Sequence, residues 1–293
     1  MRKTVFTGTG VAIVTPMVPD GSINYEKFGE LIDEQINNKT DAIVVCGTTG
    51  EASTLTDEEH VEAIRFCVDR TAKRVPVIAG TGSNDTGYAI ELSKEAEKVG
   101  ADAILQVTPY YNKTSQRGLA AHFNTIADSV NIPTILYNVP SRTGVSIALS
   151  TYEELAKNEK ISAVKEASGN LSLAAETAAH TDLDIYSGND DQLLPFLSLG
   201  AKGVISVSSN IIPRQKHDMC ELWFAGKFKE ALELQLKYLD LENALFCDVN
   251  PIPVKEAMNI LGKNVGECRL PLIRSEQAKI DKLTAELKKA GLL

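Results

Sequence analysis

The chain has 293 residues, 43% of them hydrophobic and 24% charged, with a net charge of −9, a globular composition of a size that builds two ordinary domains or one large α/β barrel. The negative charge argues against nucleic acid or an anionic membrane as the main partner, because both select a basic face. No apolar run approaches the ~18 residues needed to span a bilayer, and the opening MRKTVFTGTG lacks the apolar core and small-residue cleavage site of a secretory leader, so a cytoplasmic protein is expected.

Short apolar runs alternate along the chain with longer segments of helical period. The runs are GVAIVTP (10–16), DAIVVCGTT (41–49), VPVIAGTGS (75–83), ADAILQVTPYY (101–111), IPTILYNVP (132–140), ISAVKEAS (161–168), DIYSGND (184–190) and AKGVISVSS (201–209). They lack a clean apolar and polar alternation, as expected of parallel strands covered on both faces. Between them lie amphipathic stretches such as YEKFGELIDEQINNK, TDEEHVEAIRFCVDRTAKR and GYAIELSKEAEKVG, several entered through Thr, Asp or Asn caps and one left through Gly100. Eight strand-then-helix units without a break in composition predict an α/β fold of the (β/α)₈ TIM-barrel type. After residue 210 the strands stop, and 214–247, 253–262 and 275–290 read as helical. The expected organisation is a catalytic barrel over 1–224 and a C-terminal helical extension over 225–293.

Barrel enzymes carry their chemistry at the carboxyl ends of the strands. Those ends hold Thr48 and Thr49 after the second run, Tyr110 and Tyr111 after the fourth, and Tyr137 and Asn138 after the fifth. Lys165 follows on the sixth, Gly188 on the seventh, and Ile205 and Ser206 on the eighth. A lysine ending a buried run either pairs with a carboxylate or has a chemical task, since a lone ammonium is costly to remove from water. As a free amine it attacks a ketone, and nearby phenols and hydroxyls can move the protons that imine formation requires. The Gly-flanked turn CGTTGE (46–51) adds backbone N–H donors suited to a carboxylate. Together these describe a site for an α-keto acid.

Taken singly the same residues have plainer readings. Tyr137 would be a core or rim tyrosine, Thr48 and Thr49 turn or cap residues, and Arg142 a solvated loop charge. Asp190 and Asp191 stand where a helix begins, which favours capping over metal binding. The cysteines at 46, 67, 220, 247 and 268 form no C-x-x-C pair, and the histidines at 60, 122, 180 and 217 have no ligand spacing. Neither disulfides nor a metal is therefore expected.

The segments GTGVAIVTP, GTTGEAST, IAGTGSN, VTPYYNK, YNVPSRTG, VKEASGNL, SGND and GVISV carry a resemblance over nearly the whole chain to the pyruvate-dependent lyases, the class I aldolase and N-acetylneuraminate lyase family of (β/α)₈ barrels. GTTGE and YNVPSRTG are its specific pieces. The resemblance implies that Lys165 forms a Schiff base with pyruvate, that Tyr137 is the main proton donor and acceptor in a relay with Thr48 and Tyr111, and that Thr48 and Thr49 hold the pyruvate carboxylate. It sets Gly188 and the main chain near Ile205 among the substrate-binding positions, and gives Arg142 the carboxylate of L-aspartate 4-semialdehyde. It implies no organic cofactor and no metal. Condensation of the two substrates would serve the diaminopimelate route to L-lysine. A homo-oligomer is implied, a tetramer built as a dimer of dimers, with Tyr111 completing the neighbouring subunit's relay.

The match to the family's feedback site for L-lysine is incomplete. Ser53, His60 and Asn84 remain plausible neighbours of that cavity, but Tyr88 stands where many regulated members have an acid, and Asp57 where they have a histidine, so weak or absent inhibition is expected. Two other functions compete. A lyase for a sugar-derived keto acid would generally lack Arg142, and a catalytically silent barrel acting as a sensor would form no covalent adduct.

Overall fold

The structure, a computed structural model, describes residue 2 and residues 4–293. Eight parallel strands close in sequence order into a barrel: β1 (Gly8–Ala12), β2 (Ala42–Val45), β3 (Val77–Gly80), β4 (Ala103–Val107), β5 (Thr134–Asn138), β6 (Ile161–Glu166), β7 (Asp184–Ser187) and β8 (Gly203–Ser206). β8 returns to β1 with Gly10 opposite Ile205, so the sheet has no free edge. The fold is the expected (β/α)₈ barrel with helices after its last strand.

Barrel closure explains the missing alternation. On β6, Ala163 points into the barrel and Val164 into the outer apolar layer, yet both are buried, because helices cover the outside as side chains fill the inside. The interior is packed with Ala12, Val44, Ile78, Leu105, Ile135 and Ile205. Phe6, just ahead of β1, enters it and stacks on Tyr186 with ring centroids 4.2 Å apart, and the Tyr186 hydroxyl donates to the Phe6 carbonyl at 2.6 Å.

The outer layer is α1 (Tyr25–Asn37), α2 (Asp57–Thr71), α3 (Thr86–Lys98), α4 (Gln116–Asp128), the one-turn α5 (Pro140–Thr143), α6 (Leu149–Leu155), α7 (Leu171–His180), α8 (Leu193–Ser198) and α9 (Pro213–Phe224). Side-chain caps start several of them: Asn24 for α1, a reciprocal Thr56–Glu59 box for α2, Asp85 for α3 and Asn170 for α7. The stretch 214–247 is two helices, because Gly226 at φ 75° breaks it between α9 and α10 (Phe228–Ala244). Next come α11 (Ile252–Ile260) and α12 (Gln277–Lys289). The same apolar cluster that holds Val11 and Ile43 also holds Leu241, Met258 and Leu283, so these last helices share a core with the barrel wall.

Two buried histidines make this fold sensitive to acid. Burial pushes the pKa of His122 down to about 4 and lowers that of His60. An unfolded chain takes up those protons below pH ~6.5 while the folded one does not, so stability is lost as pH falls from there towards about 4. Denaturant midpoints should drop between pH 7 and 5, and His122→Asn should flatten that slope.

Candidate active site

The parity of β5 and β6 decides the site. Ile135 and Tyr137 face inward on β5, as do Ala163 and Lys165 on β6, and Tyr137 pairs in register with Lys165. The Lys165 Nζ stands 4.3 Å from the centre of the Tyr137 ring, and both residues are at most 7% exposed. The outward neighbours of the same residues are polar and locked together. The Asn138 side chain donates to both oxygens of Glu166 at 3.2 and 3.0 Å, and the Tyr152 hydroxyl donates to Glu166 at 2.8 Å. Ser168 N–H donates to Glu166 as well. Asn138, Tyr152 and Glu166 are buried, and burial followed by the Glu166 charge pushes the Tyr152 phenol well above the usual range.

Lys165 differs from the other buried lysines. Lys216 lies 2.8 Å from Glu242 and 3.5 Å from Asp190, and Lys255 lies 2.8 Å from Glu51. Among the described residues, Lys165 has no carboxylate within ion-pair distance, and its adjacent acid, Glu166, is turned to the opposite face. A buried amine without an acidic partner is available as a nucleophile, whereas one engaged in an ion pair is not.

Lys165 opens into a cavity of about 710 Å³ at the carboxyl ends of the strands. Thr48, Thr49, Tyr137, Arg142, Lys165 and Gly188 all line it. Gly188 must lack a side chain: a Cβ there would sit 2.5 Å from that of Ala167. Its N–H donates to the Glu166 carbonyl at 2.8 Å, which draws the ends of β6 and β7 together. β2 ends earlier than the sequence suggests, at Val45, because Cys46 turns to φ 54° and residues 47–51 form a hydrogen-bonded turn carrying both threonines. β4 likewise stops at Val107.

Two of the expected residues, Ile205 and Tyr111, are not themselves among those lining this cavity. Ile205 is fully buried in the barrel interior, and Val207 lines the cavity in its vicinity. Tyr111 is 92% exposed at φ 69° and does not line the cavity of its own chain. Its loop is pinned, since Asn84 donates to the Tyr110 carbonyl at 3.1 Å and Asn112 donates to the Asn84 carbonyl at 2.9 Å. Ser53, His60 and Tyr88 line the same large cavity, and the Tyr88 hydroxyl donates to Asp57 at 2.6 Å.

Asp190 requires a correction. It does not cap its own short helix; its carboxylate accepts from the Val207 and Ser208 N–H groups at 2.9 Å and from the Ser206 hydroxyl at 2.5 Å, fixing the exit of β8. Burial opposes its ionisation, but the Lys216 ammonium and these donors outweigh that and hold its pKa low. The sequence reading also missed Asn250. Its amide donates to Thr49 Oγ1 at 3.0 Å, its carbonyl accepts from Arg142 at 3.3 Å, and it lines the cavity. The available signal was NPIP at 250–253, a polar residue beside prolines between helical segments.

An inward, unpaired lysine beside a phenol, in a pocket with hydroxyl donors and an arginine, on a (β/α)₈ barrel, defines the class of Schiff-base-forming carbon–carbon lyases. The sequence profile of the dihydrodipicolinate synthetase family matches residues 5–290, and the chain belongs to that family. It is 57% identical over 293 residues to the 4-hydroxy-tetrahydrodipicolinate synthase of Lachnoclostridium phytofermentans, covering 99% of both chains. It superposes on dihydrodipicolinate synthase from Aquifex aeolicus with a TM-score of 0.96, 46% identity and coverage of 98% of this chain and 99% of the other. A third solved structure, described as the first monomeric dihydrodipicolinate synthase variant, is 37% identical with a TM-score of 0.96, over 99% and 98% of the two chains.

The contrast between the lysines is measurable. Lys216→Met leaves Asp190 and Glu242 buried without their counter-ion and should cost about 3–5 kcal/mol in denaturant unfolding. Lys165→Met removes an amine that has no acidic partner and should leave stability unchanged or raise it by about 1 kcal/mol.

Proposed function

We infer that the protein condenses pyruvate with L-aspartate 4-semialdehyde to give 4-hydroxy-tetrahydrodipicolinate, in the diaminopimelate route to L-lysine. The observation that carries this reading is the buried Lys165 without an acidic partner, in a cavity that also holds Tyr137, Thr48, Thr49 and Arg142. The Lys165 amine adds to the keto carbon of pyruvate and water leaves, giving an imine. Loss of a methyl proton yields the enamine, whose carbon attacks the aldehyde of the second substrate. That substrate's amino group then displaces Lys165 by transimination and closes the ring.

Tyr137, against which Lys165 rests, is the assigned proton carrier, with Thr48 next in the relay. Thr48 and Thr49 hold the pyruvate carboxylate from the 47–51 turn, whose Gly50 and Glu51 N–H groups are spent on the Gly47 and Thr48 carbonyls. Arg142, at the cavity rim on α5, takes the carboxylate of the second substrate, for which its planar donor fork is suited. Arg142 also favours this substrate over a sugar-derived keto acid. No organic cofactor enters the scheme. Borohydride reduction with pyruvate should leave a three-carbon unit on the peptide containing Lys165, and an unmodified Lys165 under turnover conditions would refute the reading in favour of a silent barrel.

The same reading makes the active form a homo-oligomer in the cytoplasm, a dimer of dimers in which Tyr111 completes the relay of its neighbour. The pinned loop that holds Tyr111 out into solvent supports this, as do Phe228, Leu232 and Leu236, about half exposed at four-residue spacing along α10. Response to L-lysine is weak or absent, because Tyr88 brings a phenol already bonded to Asp57 where an acid would meet the ligand's ammonium; activity titrated against sub-millimolar lysine reads this directly. Sharing of Tyr111 has a direct test. Tyr111→Phe and Lys165→Ala variants, each poorly active, should regain activity when unfolded together and refolded, because mixed dimers contain one site with both residues. No gain over the separate variants would place Tyr111 outside the neighbour's site.

A further inference from the structure

We propose that Lys255, on α11 beyond the barrel, is a positioning residue for the turn that binds the keto-acid carboxylate. Glu51 ends that turn in a left-handed conformation, φ 56°, with its side chain 1% exposed. One carboxylate oxygen accepts from Lys255 Nζ at 2.8 Å and the other from the Arg269 backbone N–H at 2.8 Å. Lys255 Nζ also donates to the carbonyls of Thr15 at 3.2 Å and Glu267 at 2.7 Å. All three of its protons are thereby engaged, by three separate segments of chain. Thr15 closes the arrangement, its hydroxyl donating to the Gly50 carbonyl at 2.7 Å.

The consequence for binding follows from where these bonds end. Both the Lys255–Glu51 pair and the Thr15 hydroxyl grip the last two residues of the 47–51 turn, directly after Thr48 and Thr49. Asn250, five residues before Lys255, fixes the Thr49 hydroxyl from the same side. A non-glycine residue held at positive φ stays there only when its surroundings compel it, and the lysine supplies part of that compulsion. Freed of Lys255, the turn loses its registry with the cavity, and a misplacement of about 1 Å in a binding group costs up to ~10²-fold. The loss falls on capture of pyruvate; Lys165 and Tyr137 stand on other strands.

The inference rests on the reading that this turn receives the pyruvate carboxylate. Lys255→Met alone strands a buried carboxylate, so the variant of choice is the double Glu51→Gln/Lys255→Met in the full chain, with Lys255→Gln as a second. Three quantities are read: thermal midpoint, kcat with KM for each substrate, and the pyruvate concentration that half-saturates borohydride trapping of Lys165. The expected result is a rise of ~10-fold or more in pyruvate KM and in the trapping half-saturation, with kcat at saturating pyruvate and the KM for the aldehyde within ~3-fold of the parent. Parent-like pyruvate KM in a folded variant overturns the assignment. So does a loss spread equally over kcat and both KM values, or failure of both variants to fold, since each marks a purely structural role. If the parent itself gives no Lys165 adduct with pyruvate, the functional reading falls and this inference with it; a parent that traps normally beside variants with unchanged KM sinks only the role of Lys255.

Discussion

The site depends on the two-residue repeat of a strand. On β6 that repeat turns Lys165 inward and its acidic neighbour Glu166 outward, so two groups that would otherwise neutralise each other lie on opposite faces of the barrel wall. Outside, Glu166 is satisfied by Asn138, Tyr152 and the Ser168 N–H and has no vacancy for a lysine. Inside, the amine rests over the aromatic face of Tyr137. A one-residue slip of β6 against β5 would exchange the two and abolish the site along with the core.

Among the described residues, three buried lysines lie around one barrel in two kinds of surroundings. Lys216 and Lys255 are counter-ions and tie loops to helices; Lys165 has no such duty. Burial alone therefore does not set Lys165 apart. The discriminating feature is the missing carboxylate, a property of the assembled fold rather than of the local sequence.

This difference also marks how far the sequence could be read. The eight runs, their order and the barrel were legible because strand, turn and helix signals are local. Lys165, Tyr137, Thr48, Thr49 and Gly188 were legible because each sits at or just past a strand end, where barrel geometry collects them, whereas Arg142, a loop charge when taken alone, came only with the family resemblance. The ends of β2 and β4 were overrun because the Thr and Tyr residues beyond them are β-prone and Gly47 and Pro109 were not taken as stops; the positive φ values of Cys46 and Tyr111 are not written in residue type. Asp190 was read as a cap for its own helix because the bonds it makes reach 17 and 18 residues ahead. Asn250 and the Glu51–Lys255 pair span 201 and 204 residues, beyond any periodicity argument.

The polypeptide after β8 thus supplies part of the mouth. Asn250, Lys255 and the Arg269 N–H reach back across the rim to a loop made two hundred positions earlier. During synthesis the pocket stays unfinished until those residues have left the ribosome, so a nascent chain with all eight strands already emerged still lacks the bonds that fix the 47–51 turn. For the same reason, a chimaera that joins this barrel to another protein's tail inherits the reactive amine without the latch that tunes its grip.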